Sequence, residues 1–186
     1  MEHFFQNIGE DWFTYPNLYK HVVDKFTNDS HFVEIGSWKG RSACYLGVEI
    51  VNSGKNIKFD CVDLWIVTEK ELIDSSLDLS LSKDDNLYKT FINNIQPLKD
   101  IINPIRNSSV NASSLYEDNS LDFVFIDAGH DYKSVKEDIE HWFNKVKTGG
   151  IIAGHDCYLP DVHKAVTEYF GNDIQISESC WIFYKN

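Results

Sequence analysis

The stretch Phe32 to Ser42, FVEIGSWKGRS, decides the fold. An apolar run ends in an acid, and Gly36 and Gly40 then bracket a tight turn before an apolar-periodic segment begins. Such a strand, turn and helix lets a ligand approach bare backbone. A dinucleotide fingerprint places a second glycine two residues after the first, so that the backbone can meet a pyrophosphate. Here that position is Trp38, whose indole crowds a diphosphate but can flank a smaller ligand. A two-glycine turn also serves as a plain connection in any α/β domain, so the remainder of the chain has to choose.

Lys58 to Asp63, KFDCVD, reads as a second strand ending in an acid, 27 positions after Gly36. In doubly wound sheets an acid about 20 residues beyond the turn takes ribose hydroxyls. A third strand, Ile101 to Arg106, leads into Asn107, Ser108 and Ser109; a fourth, Leu121 to Asp127, again ends in a carboxylate. A fifth, Ile151 to Ala153, follows Gly149 and Gly150 and runs into Gly154, His155 and Asp156. Polar groups at the carboxyl ends of successive strands point into one crevice. Between the strands lie helical stripes. Leu18, Val22 and Phe26 mark a covering helix over 16–26, Ala43, Leu46, Gly47 and Ile50 a second, and Val135, Ile139, Trp142, Phe143 and Val146 a third. Ser134 and Glu137 have capping-box spacing. Trp142 is core and His141, off the stripe, is a surface residue.

At 186 residues the chain is expected to be one domain, 1–186, with one sizeable core. Twenty-nine acids against seventeen bases give a net charge of −12, which opposes nucleic-acid backbones and anionic membrane surfaces. No Lys/Arg cluster offsets it. No run approaches the ~18 to 20 apolar residues that cross a bilayer, and MEHFFQNIGEDW lacks the basic flank and apolar stretch of a signal peptide. The expected address is cytoplasmic and the expected partner a small molecule. Cys44, Cys61, Cys157 and Cys180 form no C-x-x-C pair and read as small buried apolar residues.

The order of EIGSWKG, VDLW, FIDAGHDY and KTGGIIAGHD resembles a class I S-adenosylmethionine-dependent methyltransferase over residues 31–186. The pattern is most similar to the small metal-dependent O-methyltransferase-like group that includes macrolide sugar O-methyltransferases. That resemblance implies a Rossmann-like, doubly wound, mostly parallel seven-stranded α/β sheet with a C-terminal antiparallel hairpin strand, supplied by Ile174 to Lys185 around Ser177 to Ser179. It implies that Glu34, Gly36, Ser37, Trp38 and Gly40 line the methionine end of the donor and that Asp63 binds its ribose. Leu64, Trp65, Ser108 and Ser109 surround the adenine, and Asp127 borders the donor. Ser108 stands where many relatives have an aspartate, yet its hydroxyl can still accept a hydrogen bond.

Asp127, His155 and Asp156, at the ends of adjacent strands, offer oxygen and nitrogen ligands to one divalent ion, Mg²⁺ by preference. Such an ion would bind and orient an acceptor hydroxyl. His130, three residues past Asp127, has the near-neutral pKa of a base for that hydroxyl, with Lys133 as second candidate. Tyr132 packs with its hydroxyl at the crevice rim. The expected reaction is O-methylation of a small hydroxylated molecule, a sugar or natural-product intermediate. Two alternatives remain: a non-catalytic S-adenosylmethionine-binding module, and a nicotinamide-dependent oxidoreductase, which Trp38 disfavours. Residues 1–30 read as helical cover and 66–95 as an insertion, either a lid or a solvated loop. The aromatic group Phe4, Phe5, Trp12, Phe13 and Tyr15 builds an acceptor pocket, a homodimer contact or a core edge.

Overall fold

The computed structural model describes residues 1–67 and 78–186. Seven strands form one sheet in the order β3-β2-β1-β4-β5-β7-β6. They are β1 (His31–Ile35), β2 (Lys58–Asp63), β3 (Ile102–Arg106), β4 (Leu121–Ile126), β5 (Val146–Gly154), β6 (Gln175–Ser177) and β7 (Cys180–Tyr184). The first five run parallel, and β7 and β6 add an antiparallel hairpin at the far edge. This is the Rossmann-like sheet expected from the sequence. The order reverses between β1 and β4, and the crevice at such a switch point, outside the carboxyl ends, is where α/β sheets bind ligands.

A parallel sheet is buried on both faces, and the alternation along each strand assigns the two halves of the core. Phe32, Phe59, Cys61, Phe123, Phe125, Ile151 and Ala153 face α1 (Pro16–Lys25), α2 (Arg41–Ser53) and α3 (Asn86–Asn94). Val33, Ile35, Val62, Val124, Ile126 and Ile152 face the layer of α4 (Ser109–Ser113), α5 (Tyr132–Trp142) and α6 (Pro160–Phe170). Trp142 is fully buried there, as its stripe position requires.

Several boundaries differ from the sequence reading. Strand β5 starts at Val146, because Leu121 pairs with Val146 ahead of a register shift and the two glycines stay within the strand. The cap of α5 is Asp131, not a Ser134–Glu137 box: its carboxylate accepts from the Ser134 backbone N at 3.1 Å and from the Ser134 hydroxyl at 2.7 Å. Tyr132 is turned away from the crevice, its hydroxyl donating to Glu168 on α6. Of the segment 66–95, residues 68–77 lie outside the described residues, and the lid expectation falls on them. Its second half is core: Leu87 and Phe91 of α3 are fully buried, and Phe91 lies against Gly40.

Candidate active site

The turn after β1 is closed by Gly40 N donating to Ser37 O at 2.7 Å and held in place by two further backbone hydrogen bonds and one missing side chain. Gly36 N donates to Val62 O at 2.9 Å and Asp127 N donates to Ile35 O at 2.8 Å, so the turn is stitched between the ends of β2 and β4. Gly36 has φ +87°, and a Cβ built on it would lie 2.1 Å from the carbonyl oxygen of Asp127. Only glycine fits this approach. Gly40, at φ +86°, starts α2 without any side-chain cap, which leaves the first N–H groups of a thirteen-residue helix open toward the crevice.

Asp63 ties the neighbouring loops together. Its Oδ2 accepts from Trp38 N at 2.9 Å and its Oδ1 from Trp65 N at 2.6 Å. Both tryptophans take left-handed backbone, φ +47° and +50°, as does Asp156 at +55°. Non-glycine residues pay for that conformation, and functional sites are where it concentrates. The indole of Trp65 is not part of the crevice wall: it is buried against Phe91 and Tyr88 and donates to Trp38 O at 2.9 Å. Leu64, 47 % exposed, provides the apolar surface beside Asp63 instead. Ser108 caps α4, its hydroxyl accepting from Asn111 N, and Ser109 accepts from the Trp142 indole at 2.9 Å. Both hydroxyls are therefore engaged with helices; Ser109 faces α5 rather than an adenine.

Glu34 lies beneath the turn, 1 % exposed. Its Oε2 accepts from Tyr19 OH at 2.6 Å and its Oε1 from Ser42 Oγ at 3.2 Å. Burial pushes its pKa up to about 7 against the pull of Tyr19 and the serine hydroxyls.

At the other pole, Asp127, His130, His155 and Asp156 meet. His130 Nε2 lies 2.9 Å from Asp156 Oδ2 and 3.9 Å from Asp127 Oδ1. His155 Nδ1 lies 3.6 Å from Asp127 Oδ1 and 3.4 Å from Asp156 Oδ1. Asp127 and Asp156 thus converge as the sequence suggests. Among the described residues, however, the trio whose potential ligand atoms all lie within 4.8 Å of one another is Asp127, His130 and Asp156. His155 lies outside that trio, with its Nδ1 toward both carboxylates and its Nε2 paired with Thr14 Oγ1 at 3.0 Å.

The near-neutral pKa expected of His130 is not what this cluster gives. The carboxylates of Asp127 and Asp156 raise it to about 10. Burial would lower His155, yet the same two carboxylates bring it to about 9. Asp127 is pushed up by burial but held below its usual value by His130, His155 and Tyr15, and Asp156 is held well below by the two histidines. As it stands the cluster is two imidazoliums on two carboxylates, and His130 carries its proton at neutral pH.

A raised histidine pKa stabilises the fold below the unfolded value of 6.5 and loses that contribution as pH climbs toward 9 to 10. Glu34 acts with the same sign at lower pH, its penalty growing from about 4.5 and complete soon after 7. The thermal midpoint is therefore expected to fall between pH 7 and 8.5. Asp156→Asn should flatten that slope in differential scanning fluorimetry; an unchanged slope would contradict this electrostatic account.

Tyr19 and Thr14 escape the sequence reading as site residues, and Tyr15 enters it only as one of the N-terminal aromatics. Tyr15 OH donates to Asp127 Oδ2 at 2.8 Å. Tyr15 and Tyr19, four residues apart, are visible as a helical pair, but nothing in their spacing names a carboxylate partner. Phe13 and Tyr15 are buried and Phe4 and Phe5 pack against the core, so these four form a core edge, while Trp12 stays 53 % exposed beside Trp38.

A family model described as a methyltransferase domain matches residues 33–157, from within β1 to just past Asp156. The chain belongs to the methyltransferase-domain family. The match spans more than half of the chain and contains the glycine turn, Asp63, Asp127 and the His155–Asp156 pair. This methyltransferase is also similar to solved structures: the O-methyltransferase NovP (TM-score 0.64, 15 % identity, 92 % of this chain and 79 % of that one) and a protein of Corynebacterium glutamicum (0.62, 12 %, 97 % and 84 %). A third is MycE, a methyltransferase of the mycinamycin pathway solved with Mg, S-adenosylhomocysteine and mycinamycin VI (0.59, 13 %, 97 % and 51 %). At these identities the likeness is one of fold, the class I fold of S-adenosylmethionine-dependent methyltransferases. No curated protein matches in sequence. The family removes the oxidoreductase alternative, and the methyltransferase has no helix, among the described residues, long and apolar enough to cross a membrane.

Proposed function

We propose that this methyltransferase moves the methyl group of S-adenosylmethionine to a hydroxyl of a small molecule, a sugar or natural-product intermediate, with Mg²⁺ held by Asp127, Asp156 and a histidine. The observation that carries the reading is the meeting of two carboxylates and two imidazoles at the ends of β4 and β5, next to the glycine turn at the switch point.

The donor fits the turn. Gly36 lets the turn close onto the Asp127 carbonyl, where any Cβ would strike the backbone, the uncapped start of α2 suits a carboxylate, and the Asp63 carboxylate stands between the two loops, tied to Trp38 N and Trp65 N, where ribose hydroxyls would lie. Glu34 places a carboxyl group under the turn, which in its ionised form is complementary to the ammonium and sulfonium of the donor. Trp38 and Leu64 flank the ligand, and Ser108 closes the far side.

The donor set Asp127, His130, His155 and Asp156 also fits a hard divalent ion, being oxygen-rich with imidazole nitrogen. The two anions are at present balanced by protons on the histidines. Bound there, the ion would supply Lewis acidity that lowers the pKa of an acceptor hydroxyl. Asp127 orients that hydroxyl against the donor; transfer is in-line, so near-attack geometry dominates. With His155 as the histidine that would hold the ion, His130, exposed at the mouth, is left as the group through which the hydroxyl proton leaves, and it can accept at Nε2 only once its own proton there is gone. The solved MycE complex holds Mg, S-adenosylhomocysteine and mycinamycin VI, which supports a metal and a small-molecule acceptor here. Four free, buried cysteines suit the reducing cytoplasm in which we place the reaction.

Titration calorimetry with S-adenosylhomocysteine checks the donor arm. Binding in the micromolar range is expected, and no heat at millimolar ligand would remove the reading. Mn²⁺ as a spectroscopic probe checks the metal arm: wild-type protein should quench its free paramagnetic signal, and unaltered signal would remove the ion from the proposal while leaving the donor site.

A further inference from the structure

Helix α1 reads from sequence as cover, yet it inserts two hydroxyls into the site. Tyr15 and Tyr19 are 1 % and 0 % exposed, their rings lie 5.1 Å apart, and both pack on Phe125 of β4. Each donates to a different carboxylate, Tyr15 to Asp127 and Tyr19 to Glu34. The second contact has a particular geometry. Glu34 accepts from α1 through Tyr19 on one oxygen and from the first turn of α2 through Ser42 on the other. A buried carboxylate held on both oxygens has one orientation, and removing one donor leaves the charge under-solvated.

We propose that Tyr19 is a positioning residue of the donor site: its hydroxyl holds Glu34 oriented beneath the glycine turn, so that donor affinity depends on a residue of α1 that never touches the donor. This rests on the assignment of Glu34 to the donor pocket made above. Three features favour the role over simple packing. The 2.6 Å bond is between side chains that nothing else in the helix requires to meet. The Tyr19 ring lies in a mostly apolar cluster, and the group its hydroxyl reaches there is the buried Glu34 carboxyl. The helix is also anchored at the right place: Glu178, in the turn between β6 and β7, accepts from Asn17 N at 3.0 Å and Leu18 N at 3.2 Å, fixing the first turn of α1.

The test is calorimetry of S-adenosylhomocysteine and S-adenosylmethionine binding to the full chain and to Tyr19→Phe, Glu34→Gln and Tyr116→Phe. Tyr116 is the control, since its hydroxyl donates to the buried carboxylate of Asp60 at 2.7 Å, outside the donor site, so its loss costs stability of the same kind. Tyr19→Phe is expected to weaken both ligands about tenfold, with Tyr116→Phe within about twofold of wild type at a similar fall in thermal midpoint. The pH midpoint of donor binding should also move upward in Tyr19→Phe, because the phenol favours the ionised carboxylate. The other ionisable groups around Glu34, namely Asp127, Tyr15, Cys44 and Cys61, are unchanged in that variant. If Glu34→Gln weakens binding while Tyr19→Phe does not, the positioning role is overturned and the donor site stands. If Glu34→Gln binds like wild type, the assignment of Glu34 itself fails, and the inference with it.

Discussion

Asp127→Asn is expected to abolish metal-stimulated methyl transfer, a loss on the order of 10³-fold for several kcal/mol of Lewis-acid stabilisation, while S-adenosylhomocysteine still binds within a few-fold of wild type. Asparagine keeps the shape and an oxygen for Tyr15 but removes the charge that Asp127 presents to both histidines. Each histidine then keeps only Asp156 as counter-ion, so cation affinity falls together with the histidine pKa values. Transfer from a tritiated donor to a panel of hydroxylated small molecules, run with Mg²⁺ and with excess chelator, gives the first readout. Mn²⁺ binding gives the second and needs no acceptor. An Asp127→Asn protein that still binds Mn²⁺ like wild type would show that the ion, if any, sits elsewhere.

Gly36→Ala should be the most damaging single methyl group in the chain. An L-residue at φ +87° costs about 1–2 kcal/mol, and forcing a Cβ to 2.1 Å from the Asp127 carbonyl adds about 1–3 kcal/mol of overpacking. For a domain of this size the thermal midpoint drops by roughly 5–15 °C. Because the clash lies between the turn and the end of β4, relief would push the donor loop away from Asp127, and donor affinity should fall more than 100-fold at a temperature where the protein remains folded. Gly54→Ala is the contrast: also at positive φ, it meets nothing within 4 Å and should cost only the backbone term. A Gly36→Ala protein with a midpoint within about 2 °C of wild type would contradict the described packing.

Several features were legible because they are written in local periodicity. Alternating apolar residues in FVEI and LDFVFI, an acid at each strand end and glycines bracketing a turn are enough to mark the strands and to place Asp63, Asp127 and Asp156 at their carboxyl ends, whereas the make-up of the sheet is what the family resemblance implies and the structure shows. The two-residue turn Glu178–Ser179, with both residues at positive φ, completes a hairpin that the break between two apolar runs already announced. What failed did so for a common reason. The choice of Asp131 over Ser134 as helix cap, the arrival of His130 next to His155 beside the aspartates, and a buried rather than ligand-facing Trp65 each depend on where a side chain turns after the backbone is fixed. Spacing along the chain carries no such information.

The same division holds for the chemistry. Sequence alone determined that carboxylates and imidazoles would gather at one end of a doubly wound sheet, because strand direction forces the residues that follow β1, β2, β4 and β5 into a single crevice. Only the tertiary structure decided the protonation of that cluster and the part played by α1. A histidine pKa is set by carboxylates within 4 Å and by burial, and a helix more than a hundred residues from Asp127 in sequence reaches it only because Tyr15 and Tyr19 pack through the layer above β4.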